Sequence, residues 1–310
     1  MKFLYRQYEP GKGLEELQAQ IYNSAVKDLP NSTPASAEQI LQRYKSENTD
    51  PKGVRYALKE DGSPLAYVQT RVTTSPDREK TTWIGYPWAM PDCLPEVQEK
   101  LWAETFEYVK NRALEEMEEA KFIIGYFNEA WEKQITFAKE KGFEEEDRGY
   151  QYGLDVRKAS KVDHPGYSAR IADENDLTAL VELCNADPAL RGAFPNEDAW
   201  VSYFKDKVLP DGNTILLFND EGRLICAGAP LHGFLENGVI VRFSAALPSY
   251  ESAWKTLLVQ ISKRCVDQGW EDLPLLFFAD TERERAAIAE ELGAKVRTTS
   301  IGFSKTIKRS

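Results

Sequence analysis

The stretch Phe137-Ala138-Lys139-Glu140-Lys141-Gly142-Phe143 decides the fold, because it stops a helix on a glycine and returns later as Ile288-Ala289-Glu290-Glu291-Leu292-Gly293-Ala294. Glycine ends helices readily, since it takes the left-handed conformation without a Cβ clash. Reading outward from each stop, the neighbours match. Before the first lie an apolar strand at 121–127 and a helix at 95–114; before the second lie 273–279 and 250–268. Further upstream, a strand at 81–89 corresponds to one at 238–246, and each runs into a proline turn. Two β-rich runs flank Asp61-Gly62-Ser63-Pro64, and two more flank Asp220-Glu221-Gly222, which is the pattern of a β-hairpin. Each half opens on a strand-like run, 3–8 or 169–171, followed by two amphipathic stretches. These are 13–27 and one capped by Ser36 in the first half, and 173–185 and 197–208 in the second. Each half closes on a strand, 150–157 or 296–306.

One order of elements read twice predicts tandem domains. The expected boundaries are 1–157 and 168–310, with a polar linker at 158–167 that contains Pro165-Gly166. The expected fold class is α/β (α+β), each domain a mixed, largely antiparallel sheet flanked by helices. A length of 310 residues suits this, because single cores stop growing at roughly 250–300 residues.

Composition excludes several function classes. With 42% hydrophobic and 29% charged residues the chain reads as soluble and globular. Its longest apolar runs fall short of the ~20 residues of a membrane span. Met1-Lys2-Phe3-Leu4-Tyr5-Arg6 turns charged too early for a secretory leader, so a cytoplasmic protein without membrane contact is expected. Cys93, Cys184, Cys226 and Cys265 follow no metal or disulfide spacing and read as reduced thiols in or near a core. The two histidines, His164 and His232, leave little for a metal site or a serine–histidine triad, so no metal is expected. A net charge of −11 argues against nucleic acid, which needs a basic surface to displace counterions. Acidic runs such as Glu115-Glu116-Met117-Glu118-Glu119 are ordinary solvated faces, and their field is also compatible with a cationic amine substrate.

The element order resembles that of the GCN5-related N-acetyltransferase family in both halves. Gly142-Phe143 after its helix, Asn128 after the short strand, and both hairpins carry the resemblance most directly. It implies an N-acyltransferase moving an acetyl or other acyl group from acetyl-CoA or another acyl-CoA, the co-substrate, to an amine acceptor. It also implies a cleft where two parallel strands splay apart. Trp88, Ala89, Met90, Leu94, Asn128 and Trp131 would then bind the cofactor, with backbone N–H groups at the start of the following helix meeting the pyrophosphate.

The sequence departs from that family at the chemistry. Family members carry glycines in the phosphate loop; here it reads Ala89-Met90-Pro91-Asp92-Cys93-Leu94-Pro95-Glu96 and, in the second half, Ala246-Leu247-Pro248-Ser249-Tyr250-Glu251-Ser252. Prolines donate no N–H, and Asp92, Glu96 and Glu251 repel phosphate; Lys100 and Lys255 are placed to compensate. Where many members hold an acidic tyrosine, this chain holds Ala138 and Ala289. Tyr86 and Tyr250 are the nearest hydroxyls and the candidate catalytic residues. Tyr86, beside Trp83 and Trp88, reads first as core packing or a strand-face aromatic, with the lining of an acceptor pocket as the alternative for these aromatics. Two functions therefore stand: an N-acyltransferase, or a non-catalytic tandem module binding acyl-CoA or a protein partner, as monomer or homodimer.

Overall fold

The structure, a computed structural model, describes residues 3–46, 50–73, 81–164, 166–188, 190, 194, 196–235, 237–279 and 283–309. Pro165 of the expected linker lies outside them. The first half runs β1 (Phe3–Gln7), α1 (Leu14–Val26), α2 (Ala37–Ser46), β2 (Val54–Lys59), β3 (Pro64–Thr73) and β4 (Thr81–Ile84). It continues through β5 (Trp88–Ala89), α3 (Pro95–Glu116), β6 (Glu119–Asn128), α4 (Glu132–Glu140) and β7 (Glu144–Leu154). The second runs α5 (Val156–Ala159), β8 (Ser168–Ile171), α6 (Leu177–Ala186), α7 (Glu197–Tyr203), β9 (Ile215–Phe218) and β10 (Leu224–Leu235). It ends with β11 (Gly238–Ala246), α8 (Ala253–Asp267), β12 (Leu275–Ala279), α9 (Arg283–Glu291) and β13 (Lys295–Lys308).

These elements form two units, Met1–Arg148 with Ser300–Ser310, and Gly149–Thr299. In unit 1, β1, β2, β3 and β4 pair antiparallel in that order. There β6 lies parallel to β4, and residues 300–308 of β13 pair antiparallel with β6. In unit 2, residues 150–154 of β7 pair antiparallel with β12, which lies parallel to β11. Antiparallel β10, β9 and β8 follow. Each unit is thus a mixed, largely antiparallel sheet with helices against it, the expected class.

The units differ from the expected 1–157 and 168–310 in where the closing strands go. Ile301 and Phe303 are buried in the core of Phe122, Ile124, Phe127 and Val109, which belongs to unit 1. Tyr152 and Leu154 are buried in the core of Trp254, Phe277 and Leu257, which belongs to unit 2. An apolar alternation marks a strand as half-buried but does not say in which sheet. The expected strand 150–157 also stops early: Asp155 accepts a hydrogen bond from Lys158 N at 3.1 Å and so caps α5, whose Val156 and Ala159 are buried.

Both helix stops form with one geometry. Gly142 has φ 73°, and Phe143 N donates to Ala138 O at 3.0 Å; Gly293 has φ 83°, and Ala294 N donates to Ala289 O at 2.9 Å. These are the left-handed glycine and the six-to-one bond that tie off a helix's last carbonyls.

Candidate active site

In unit 1 the parallel pairing of β4 with β6 covers Thr81–Trp83 against Lys121–Ile123. Between the Thr70–Ile84 and Tyr67–Trp88 pairs, Gly85-Tyr86-Pro87 faces Val68-Gln69, an extra residue that makes a bulge. Pro87 has no N–H to give a ladder, which favours the break there. The chain rejoins β3 at β5, while β6 runs on to Asn128 beside Ser300. A gap therefore lies between β5 and the end of β6. Met90 N donates to Leu65 O at 2.7 Å, so strand alternation turns the Ala89 N–H and C=O the other way, into the gap.

Aromatic rings line that gap. Trp88 meets Tyr86 at 5.0 Å, Tyr22 at 5.1 Å and Trp131 at 6.0 Å between centroids, all edge-to-face. Tyr86 also packs on Phe137 at 5.2 Å and Phe127 at 6.2 Å. The Trp131 indole N–H donates to Pro30 O at 2.9 Å, fixing the loop after α1 over the start of α4. Tyr22, Tyr86, Trp88 and Trp131 are all half-buried. Burial pushes the Tyr86 hydroxyl up from its ordinary value, against a hydrogen bond from Gln98, so it stays protonated at neutral pH. Gln98 also donates to Pro87 O and thereby holds the bulge.

At the start of α3, Leu94 is the N-cap with no side-chain bond, 48% exposed, and Pro95 follows. Asp92 sits 2.6 Å from Lys59, whose hydrogen bond holds the carboxyl below its usual range. Cys93 is half-buried, and burial, with Asp92 adding, pushes its thiol up to about 11. Lys100 pairs with Glu104 at 3.8 Å and lies over the Tyr5 ring at 5.0 Å, so it is engaged away from the helix start. Asn128 is buried; its backbone O accepts from Trp131 N at 2.8 Å and its Oδ1 from Ala130 N at 2.9 Å. It shapes the turn into α4.

Unit 2 repeats the split with a different filling. β11 and β12 pair at Val239–Leu275 and Ile240–Leu276 and then part. Leu247 N donates to Ile225 O at 2.9 Å, so Ala246 N–H faces the gap as Ala89 N–H does in unit 1, and a proline follows one residue later in both. Here that N–H is taken: Ala246 N donates to Asp187 Oδ2 at 2.8 Å. The same carboxylate oxygen lies 2.8 Å from Arg285, which lies 3.0 Å from Glu251 before α8. Asp187 is 0% and Arg285 4% exposed, and the guanidinium stands 5.8 Å from the Trp254 ring centroid. Burial works against the Arg285 charge, but hydrogen bonds to Glu251 and Asp187 outweigh it and raise its pKa. Lys255, the other expected phosphate partner, pairs with Glu291 at 2.7 Å. The Tyr250 hydroxyl accepts from Asn219 Nδ2 at 3.2 Å.

Of the residues singled out from sequence, Tyr86, Trp88, Ala89 and Trp131 converge on the unit 1 gap, with Asn128 at its edge, while Met90 bonds back to Leu65 and packs against the core beneath α1 and α2. Leu94 is exposed beyond the gap, and Tyr250 belongs to unit 2. Ala138 and Ala289 are fully buried core residues. Sequence reasoning missed Tyr22, Gln98, Asp187 and Arg285. Nothing in the run Glu282-Arg283-Glu284-Arg285 marks its last member as buried.

No protein-family model and no curated protein sequence matches the chain. Solved structures do. A GCN5-related N-acetyltransferase from Sphaerobacter thermophilus aligns with a TM-score of 0.70 over 99% of this chain and 96% of its own, at 14% identity. A tandem GNAT protein from the clavulanic acid biosynthesis pathway aligns with a TM-score of 0.70 over 100% of both chains, at 12% identity. The N-myristoyltransferase of Saccharomyces cerevisiae, solved with bound myristoyl-CoA, gives 0.58 over 97% of this chain and 78% of its own, at 11% identity. At such identities the likeness is one of fold: along its whole length, this chain is folded as the GCN5-related N-acetyltransferases are.

Proposed function

We propose that the chain is an N-acyltransferase whose working cleft is the gap between β5 and the end of β6 in unit 1. One observation carries the choice of unit. The gap-facing N–H of Ala246 is bonded to a buried carboxylate, whereas the gap to which strand alternation turns the Ala89 N–H is lined by half-buried aromatic rings. A backbone donor left on a strand edge needs a partner, and a thioester carbonyl is one. The amine nitrogen would attack that carbonyl, the N–C bond forming as the C–S bond breaks. Coenzyme A leaves as a thiolate and takes a proton, and the amine's proton passes to water. Tyr86, protonated and beside the gap, is the donor we assign to the thiolate. Residues 81–89 contain no Asp or Glu to serve as base, so in this reading orientation of the two reactants supplies most of the rate. Buried free thiols at Cys184, Cys226 and Cys265 suit a reducing, cytoplasmic setting.

A second reading, an acyl-CoA-binding module without turnover, draws support from Ala138 in the core and from Asp92 and Pro95 at the start of α3. Thermal unfolding with acetyl-CoA and with free coenzyme A separates the cases. Ligand at about a hundred times its Kd adds roughly 2.7 kcal/mol. Absence of any shift at millimolar ligand sinks both readings. A shift without thiol release on a panel of primary amines leaves the second.

A further inference from the structure

The two units present the same backbone device with opposite contents. In each, the residue before the leucine or methionine that returns to the hairpin strand points its N–H into the gap between parallel strands. In unit 2 that donor and the ground in front of it are occupied by the protein itself. Asp187, just beyond α6, accepts the Ala246 N–H at 2.8 Å, and Arg285 on α9 joins it to Glu251 before α8. The cluster reaches from one side of the split to the other, since Glu251 precedes the helix that follows β11 and Arg285 lies on the helix that follows β12.

We propose that this buried cluster is an internal occupant that seals the unit 2 cleft, so that the chain has a single acyl-CoA site, in unit 1, and unit 2 takes none. The number of sites rests on the function proposed above; the seal itself does not. Asp187 and Arg285 are withdrawn from water and the Glu251 side chain is 15% exposed, so these charges would be costly if unpaired. Here each carboxylate meets the guanidinium, and the Asp187 oxygen also receives a backbone N–H. An incoming anion would have to displace Glu251 from Arg285 and then face its charge at the mouth of the gap. A thioester carbonyl would have to displace Asp187, a charged acceptor, from Ala246. A neutral carbonyl is the weaker acceptor of the two. Arg285 also stands over the Trp254 ring, which fixes its position from the core side.

Amide hydrogen exchange on the full chain, followed in peptides covering 84–93 and 241–250, tests this directly. In the free protein Ala246 N–H should exchange about tenfold or more slowly than Ala89 N–H, as a hydrogen bond to a buried charged acceptor requires. Acetyl-CoA should slow 84–93, leave 241–250 unchanged, and bind at one equivalent per chain. Equal rates at the two alanines without ligand overturn the seal, and so does slowing of 241–250 by acetyl-CoA. If acetyl-CoA slows neither peptide, the function proposed for unit 1 fails, while the comparison without ligand still decides the seal. Asp187→Ala should speed Ala246 by about tenfold and leave 84–93 unchanged. Should that variant not fold, Glu251→Gln keeps the Asp187 bond and loosens Arg285, and a smaller acceleration confined to 241–250 is expected. No acceleration in either variant sinks the proposal.

Discussion

The ring of Phe303, in the last strand of the chain, lies 6.1 Å from the ring of Phe127 at the end of β6, and both are buried in the core of unit 1. Ile301 is buried on the same face, two residues earlier, as the period of a strand requires. The counterpart in unit 2 is Tyr152, stacked on Phe277 at 5.9 Å. Each core is thus finished by a strand that the other half of the sequence contributes. This explains why the repeat is regular in sequence while unit 1 is built from two separate segments and unit 2 begins before the second copy does.

A chain ended at Arg157 should therefore fail to fold cooperatively. It lacks Ile301 and Phe303, whose loss leaves Phe127 and Phe122 facing water, and it carries a β7 whose Tyr152 and Leu154 have no core. Phe303→Ala in the full chain should cost about 3–5 kcal/mol, the range for a buried phenylalanine. Urea unfolding followed by near-ultraviolet circular dichroism reads both. A sharp transition from residues 1–157 alone would contradict this account.

A second prediction concerns the polar floor beneath α1 and α2. Gln18 Oε1 accepts from Tyr44 at 2.6 Å and from Tyr56 at 2.7 Å, and its Nε2 donates to Gln69 Oε1 at 3.1 Å. Gln18→Leu keeps the volume but leaves Tyr56, which is fully buried, without its acceptor. The expected loss is about 1–3 kcal/mol, the cost of stranding a buried polar group. Tyr56→Phe removes donor and demand together and should cost about 1 kcal/mol. In the double variant the losses should fall well short of their sum, because both act on one bond. Additive losses in chemical denaturation would show that the network contributes nothing as a unit.

What sequence made legible was whatever is local. The glycine stops, both hairpins and the strand at 238–246 rest on neighbours in the chain, and they form as read. The start of α3 at Pro95 follows from one residue's missing N–H. The single strand expected at 81–89 breaks because Pro87 cannot pair, a signal that was present but outweighed by the apolar run around it. The Asp187–Arg285–Glu251 cluster was not legible. Its members come from three distant segments, so no periodicity or spacing joins them. Glu251 announced a conflict with phosphate, but not the arginine that answers it. Likewise, Lys100 and Lys255 lie one turn into their helices, where a phosphate partner is expected. Only the positions of Glu104, Tyr5 and Glu291 show them committed elsewhere.

Tyr86 separates packing from chemistry in the proposed cleft. Tyr86→Phe keeps the ring against Trp88, Phe127 and Phe137, so stability should change by less than about 1 kcal/mol. If the hydroxyl donates to the leaving thiolate, turnover should fall by about a hundredfold or more at unchanged acetyl-CoA affinity. Tyr86→Ala should instead destabilise by about 2–3 kcal/mol and weaken acetyl-CoA binding, since it opens the aromatic wall. Thiol release and thermal unfolding on both variants distinguish the roles. Full activity in the phenylalanine variant removes the donor assignment and leaves Tyr86 as packing.

The pH dependence of unit 2 should report Asp176. Its oxygens lie 2.6 Å from both terminal nitrogens of Arg170, and one also accepts the Asp173 N–H at 2.9 Å. The hydrogen bonds from Arg170 lower its pKa from the ordinary 3.8, against its burial. A depressed carboxyl contributes stability that is complete above its unfolded-state pKa and is lost as pH falls through the folded one. The window therefore lies below 3.8 and not near neutrality. Arg170 is 49% exposed, so solvent screening limits the pair to about 1 kcal/mol. Asp176→Asn keeps an acceptor for the Asp173 N–H and removes only the charge. Unfolding free energies of the two proteins from urea titration should differ by that amount at neutral pH and converge once the wild-type carboxyl is protonated. A difference that persists into that acid range would mean that the charge of Asp176 is not what stabilises the turn before α6.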